Sequence, residues 1–192
     1  MSKRNQIKRN QIRIIGGQWR RRHLQFPSAT ELRPTPDRVR ETVFNWLGQS
    51  LEGKFCLDLF AGSGALGFEA ASRTARHVVM VERDRTAYSA LVTNAKALAA
   101  DNVELRCEDA FEFLDSDQRI FDVVFLDPPY RHGSLPGLLT ALRGHLAVGS
   151  LVYLEAEELP QIPPGYEILR RSRAGQVKYL LLESGDYASE IQ

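Results

Sequence analysis

Residues 55–72 read FCLDLFAGSGALGFEAAS, and the larger features of the chain can be placed from them. Phe55–Phe60 is short, apolar and partly aromatic, the composition of a buried strand. Gly62, Gly64 and Gly67 follow in G-x-G-x-x-G spacing. Glycines there let the backbone turn tightly and come close to a ligand. Ala65–Ser72 then reads as a helix. Strand, glycine turn and helix make the first unit of an open α/β sheet, whose ligands lie beyond the carboxyl ends of the strands.

Strand and helix alternate from there onward. Further strands are predicted at His77–Glu82, Val103–Cys107, Phe121–Leu126 and Ser150–Glu155, and further helices at Arg85–Ala99, Ala110–Leu114 and Leu135–Leu146. Near-continuous apolar strands joined by helical crossovers imply a mostly parallel sheet covered on both faces. Tyr166–Arg171 and Lys178–Glu183, joined by the polar link Ser172–Val177, read as an antiparallel hairpin at the sheet edge. The total is seven strands.

Toward the N-terminus the character changes. Residues 1–40 hold 11 Lys/Arg against 2 Asp/Glu, a balance of +9, whereas residues 41–192 hold 14 against 22, a balance of −8. A basic arm on an acidic body suggests a polyanionic partner. Residues 1–10 are expected to be a loose basic tail. Ile12–Ile15 and Gln18–Phe26 flank Gly16-Gly17, which predicts a hairpin with a two-glycine turn whose second strand carries Arg20, Arg21, Arg22 and His23. Thr35-Pro36 reads as an N-cap and first helical residue. The helix it starts is expected to bury Val39, Val43, Trp46 and Leu47, to stop at Gly48, and to present Arg38, Glu41, Thr42 and Asn45 as one polar stripe. The expected organisation is an extension over residues 11–48 and a main domain over 49–192.

Acids stand at the carboxyl ends of four predicted strands: Asp58, Glu82, Asp109 and Asp127. Glu82 lies at the end of the second strand, where an acid accepts from ribose hydroxyls. Asp58 precedes the glycines, where a carboxylate would repel a pyrophosphate but attract a sulfonium. Asp109 is placed to accept from an adenine amine. A dinucleotide is the alternative cofactor, but no length remains for a separate substrate domain. The set points to a cationic ribose-bearing ligand, S-adenosylmethionine, with Phe60, Gly62, Gly64, Arg83 and Ala110 completing the candidate cofactor site.

Asp127-Pro128-Pro129-Tyr130 closes the strand Phe121–Leu126. Each proline fixes φ and donates no N–H, so the loop holds its carbonyls rigidly. With the acceptor-only Asp127 carboxylate and the Tyr130 ring, it could accept both hydrogens of an exocyclic amine and stack on the ring that bears it. That is equipment for chemistry on a nucleobase amine. His132 is close in sequence but lies in no motif.

Composition excludes several other classes. At 43% hydrophobic and 26% charged residues, the chain is globular and long enough for a proper core. Its apolar runs are of strand length, and no apolar segment follows the basic N-terminus as in a secretory signal. Cys56 and Cys107 show no metal or redox spacing and read as buried thiols in a reducing cytoplasm. No metal is expected.

The chain resembles the bacterial methyltransferases that modify guanine N2 in small-subunit ribosomal RNA. The likeness runs through Arg13-Ile-Ile-Gly-Gly, the block from Arg33 to Asn45 (RPTPDRVRETVFN), Asp58-Leu-Phe-Ala-Gly-Ser-Gly64 and Asp127-Pro-Pro-Tyr130, in order and over nearly the whole chain. Asp-Pro-Pro-Tyr marks amino-group methyltransferases generally; the Arg33–Asn45 block and the ribbon are more specific. The resemblance implies a Rossmann-like methyltransferase fold, S-adenosylmethionine as donor, a 16S rRNA guanine as target in an assembled or assembling small subunit, and RNA contacts from Arg20, Arg21, Arg22, Arg38 and Asn45. A DNA amino-methyltransferase would share the tetrapeptide but usually adds a target-recognition segment absent here. A non-catalytic RNA-binding assembly factor would have no reason to keep the acid and glycine set.

Overall fold

The computed structural model describes residues 9–27, 35–129 and 135–186. A two-stranded antiparallel ribbon, β1 (Arg9–Arg13) and β2 (His23–Pro27), precedes α1 (Asp37–Trp46). Then come β3 (Phe55–Asp58), α2 (Ala65–Ser72), β4 (His77–Val81), α3 (Arg85–Leu98), β5 (Val103–Arg106), α4 (Ala110–Ser116) and β6 (Phe121–Leu126). The chain ends with α5 (Leu135–Leu142), a 3-10 turn over 143–145, β7 (Leu146–Ala156), β8 (Tyr166–Ala174) and β9 (Val177–Ser184).

Seven strands form one sheet in the order β5-β4-β3-β6-β7-β9-β8. The first five are parallel; β9 lies antiparallel to β7 and β8 antiparallel to β9. The order reverses between β3 and β6, the switch point where an open sheet leaves a crevice at its carboxyl rim. Side chains alternate between the two faces. Cys56, Met80 and Phe125 join α1, α2, α3 and the ribbon on one side; Leu57, Val81 and Leu126 join α4 and α5 on the other. This is the predicted Rossmann-like α/β architecture.

Several local expectations are corrected. Gly16-Gly17 is not a two-residue hairpin turn: β1 ends at Arg13 and β2 starts at His23. The ribbon's pairing extends by Ile14 N–H to the Arg22 carbonyl and Arg21 N–H to the Ile14 carbonyl, both at 2.9 Å. Arg20, Arg21 and Arg22 therefore sit in the connecting loop and not in a strand. The glycines serve a close approach instead: a Cβ on Gly17 (φ 71°) would stand 1.9 Å from the Ser72 carbonyl oxygen of α2. Thr35 does not cap α1, whose N-cap is Pro36 without a side-chain bond. The helix buries Val39, Arg40, Val43 and Phe44, with Trp46 and Leu47 only partly covered. Cys56 is buried in β3, and burial raises its thiol pKa, but Cys107 is exposed just beyond β5.

A buried ion cluster fastens the ribbon to the body. The Glu69 carboxylate is fully buried and accepts from Ile15 N–H (2.9 Å), Gly16 N–H (2.7 Å), Arg40 (3.2 Å) and Arg73 (2.8 Å). Arg40, also fully buried, donates to the Arg13 and Thr35 carbonyls and to Asp37. The Ser72 hydroxyl donates to the Gly16 carbonyl and accepts from Trp19 N–H; the Asn94 amide bonds both backbone groups of Gln25. A carboxylate with four donors, two of them guanidinium groups, satisfies the condition under which burying charge is tolerable.

Candidate active site

The carboxyl ends of β3 and β6 are neighbours in the sheet, Asp58 pairing with Phe125, so Asp58 and Asp127 flank the switch point. Asp58 is 1% exposed and accepts from Gly67 N–H at 2.8 Å. Desolvation pushes its carboxyl up to about 7, the Glu82 charge adding to the rise while the Gly67 and Phe60 N–H groups oppose it. Asp58 thus ties the first turn of α2 to the end of β3. Gly64 starts that turn at φ 80°, and a Cβ there would come within 2.5 Å of Phe68.

Glu82, at the end of β4, accepts from Gly62 N–H (2.8 Å) and Asp84 N–H (2.7 Å). Its carboxyl is raised, chiefly by burial. Each oxygen holds one loop donor and keeps acceptor capacity for a ligand hydroxyl. Asp109 caps α4 through Phe111 N–H at 2.9 Å, with the buried Ala110 as the first helical residue. Arg83 reaches Asp109 at 3.8 Å across the β4 and β5 ends. Phe60 is half buried and packs toward the α4 side. The rim is thus rich in acceptors, which suits hydroxyls and a cationic group and disfavours a pyrophosphate. These residues fit S-adenosylmethionine.

At the end of β6, Asp127 accepts from the Thr35 hydroxyl at 3.2 Å. Its carboxyl is raised well above the usual range by desolvation first and by Glu155 second. Glu155 closes β7, and the Tyr153 hydroxyl donates to it at 2.8 Å. Pro128, Pro129 and Glu155 line a cleft of about 430 Å³ together with Leu135, Pro136 and Leu159. Tyr130 and His132 lie outside the described residues.

The structure brings Asp58, Gly62, Gly64, Glu82 and Asp127 to one crevice, with Asp109, Ala110 and Arg83 at its β5 side. It does not bring the ribbon arginines there. Arg22 donates to the Ala97 carbonyl at the carboxyl end of α3, and Arg20 and Arg21 are exposed beside it. The 14-residue α3 starts at the rim, so these arginines stand about 20 Å from it. Arg38 and Asn45 are exposed on α1. Sequence reasoning missed Thr35 and Glu155 as site residues. Glu155 carried a usable signal, since it is a fifth acid at the end of an apolar strand. Among the described residues no group of His, Cys, Asp and Glu could hold a metal ion, and no helix is long and apolar enough to cross a membrane.

A family model described as Conserved hypothetical protein 95 matches residues 12–183. The ribosomal RNA small subunit methyltransferase D of Escherichia coli K12 is 44% identical over 188 residues, 95% of each chain. The solved structure of yhhF from Escherichia coli superposes with a TM-score of 0.82 at 41% identity, covering 92% of this chain and 99% of that one. A more distant structure shares the fold: the Thermus thermophilus 16S rRNA N2 G1207 methyltransferase, in complex with AdoMet and guanosine. It has a TM-score of 0.68 at 21% identity and covers 93% of this chain and 50% of that one.

Proposed function

Because the chain belongs to the Conserved hypothetical protein 95 family, whose Escherichia coli relative is a small-subunit rRNA methyltransferase, we propose that it transfers a methyl group from S-adenosylmethionine to the N2 amine of a guanine in 16S rRNA, within the cytoplasmic small subunit or its assembly intermediate. The observation that carries this reading is Asp127-Pro128-Pro129 at the switch point, its half-buried acid beside the cofactor crevice. In this reading residues 11–48, with Arg9 and Asn10 joining them in β1, are an RNA-binding extension behind the basic N-terminal residues, and residues 49–192 the methyltransferase domain.

Asp58, Glu82, Asp109 and the loop from Phe60 to Gly64 would hold the cofactor, with Arg83 and Ala110 at its adenine side. S-adenosylmethionine supplies an electrophilic methyl on a sulfonium. The target amine is a poor nucleophile because its lone pair is delocalised into the purine ring. The Asp127 carboxylate and the Pro128 carbonyl accept its two hydrogens and draw the nitrogen toward tetrahedral geometry, freeing the lone pair. Positioning and electrostatics supply the acceleration. The proton is lost after transfer, when the nitrogen is far more acidic, so no dedicated base is needed. Tyr130 stacks on the base, which must be extruded from its helix to enter the cleft.

Methyl transfer from radiolabelled S-adenosylmethionine to small subunits and to duplex DNA, followed by nucleoside mass analysis, tests the reading. Label in N2-methylguanosine of 16S rRNA is expected; label in DNA, or in another nucleoside, would overturn it.

Two predictions follow from the assignments. Glu82→Ala should weaken S-adenosylhomocysteine binding by about 10- to 150-fold, the equivalent of losing about 1.5–3 kcal/mol of charged hydrogen bonding. Calorimetry reads it, and an unchanged affinity would remove Glu82 from the cofactor site. Charge reversal at Arg20 and Arg21 should raise KM for small subunits while leaving kcat and cofactor affinity alone, because these residues stand far from the rim. Binding should weaken as salt rises, with a log–log slope shallower than wild type by about 0.7–0.9 per lost phosphate contact. Parallel lines for the two proteins would mean that these arginines do not touch RNA.

A further inference from the structure

We propose that Glu155 determines specificity by accepting a hydrogen bond from N1–H of the target guanine, beside the amine held by Asp127; this rests on the proposed function above. Leu126 and Leu154 are paired across the parallel β6 and β7, so Asp127 and Glu155 occupy adjacent strand ends. Neighbouring strands lie about 4.8 Å apart, a spacing that two adjacent donors on one edge of a base can bridge. Guanine presents such an edge, with N1–H next to the N2 amine. Adenine and 2-aminopurine present a lone pair at N1, which faces a carboxylate unfavourably.

The place of Glu155 fits this role. It is 8% exposed yet lines the cleft with Pro128 and Pro129. The Tyr153 hydroxyl donates to Oε2 and orients the carboxylate. Tyr153 is itself wedged between Phe125 and Tyr179, with ring centroids 6.4 and 6.2 Å away. Among the described residues no Lys or Arg forms an ion pair with Glu155 or Asp127. Desolvation raises both carboxyls, and the neighbouring Glu155 raises Asp127 further. Two desolvated acids side by side, with no cation paired to them among the described residues, are costly in the free protein. Base donors arriving at both would relieve that cost, and only a base with two adjacent donors can do so.

The test compares small subunits reconstituted with guanine or with 2-aminopurine at the modified position, a substitution that keeps the amine but removes N1–H. Wild type should methylate the guanine substrate about 100-fold or more faster in kcat/KM, since a site built to accept a hydrogen rejects an analogue lacking it. Glu155→Gln should lose about 10- to 100-fold on guanine and lose less on 2-aminopurine, because a carboxamide can donate to its N1. The narrowed preference is the readout, and a role confined to holding Tyr153 would slow both substrates alike. Tyr153→Phe is the second variant and should narrow the preference in the same direction by releasing the carboxylate. An unchanged preference in both variants overturns the inference. Failure of the wild-type protein to methylate guanine at all would instead overturn the proposed function.

Discussion

Asp127→Ala is expected to lower kcat for methyl transfer by about 10²–10³-fold, the scale of removing one preorganised group aimed at developing charge. Affinity for S-adenosylhomocysteine should stay within about twofold of wild type, since Asp127 is assigned to the acceptor amine and not to the cofactor. The fold should not suffer. Asp127 is half-buried beside Glu155 with both carboxyls raised, so removing one acid relieves repulsion, and among the described residues the Thr35 hydroxyl is what loses a partner. Asp127→Asn should fall between, because its carbonyl still accepts one hydrogen but without the charge that roughly doubles the bond's strength. Single-turnover transfer and calorimetry, run side by side, separate the two constants. Turnover of Asp127→Ala near the wild-type rate would show that the chemistry lies elsewhere.

The largest effect on stability is expected at Glu69. Glu69→Ala takes from the largely buried Arg73 its acidic partner and from the fully buried Arg40 one of two, Asp37 remaining, and leaves the Ile15 and Gly16 N–H groups without their acceptor. Breaking a buried pair by removing one partner costs about 3–5 kcal/mol. For a chain of this size that lowers Tm by roughly 6–20 °C. Urea unfolding should show a lower midpoint with an unchanged slope. Adding Arg73→Met to the same variant should recover part of the loss, since it removes the largely buried cation that has lost its acid. A loss below about 1 kcal/mol, on the scale of an exposed pair, would mean that the cluster is dispensable.

What the sequence revealed and concealed divides along physical lines. Phe121–Leu126 and Ala65–Ser72 were placed to the residue, because buried parallel strands and their crossovers write long apolar runs bounded by glycine, proline and acid. The acids at Asp58, Glu82, Asp109 and Asp127 were legible because a strand end is itself a sequence signal. Their local bonds were not. Asp109 caps a helix, and Asp58 and Glu82 secure the glycine loop, roles that depend on where N–H groups point. Glu155 was readable as an acid at a strand end, but its closeness to Asp127 was not, because that is a fact of register. Arg40 and Glu69 read as ordinary helix residues, although a lone acid in the apolar helix Ala65–Ser72 was a hint of buried pairing. Gly16-Gly17 misled for a related reason: a glycine pair marks close approach as readily as a hairpin turn, and only the tertiary contact with Ser72 tells which.

The fastening of the ribbon to α2 and α3 also sets an order of events during synthesis. The partners of Ile15, Trp19 and Gln25 lie 54, 53 and 69 residues further along the chain. At a translation rate of about 5–20 residues per second, the ribbon emerges roughly 3–14 s before Asn94 exists to receive it. In that interval an isolated two-stranded ribbon is marginal at best in water. Its loop arginines and apolar side chains wait unpaired while α2 and α3 are made. The first described segment to leave the ribosome therefore acquires these contacts only once about half of the chain has been made.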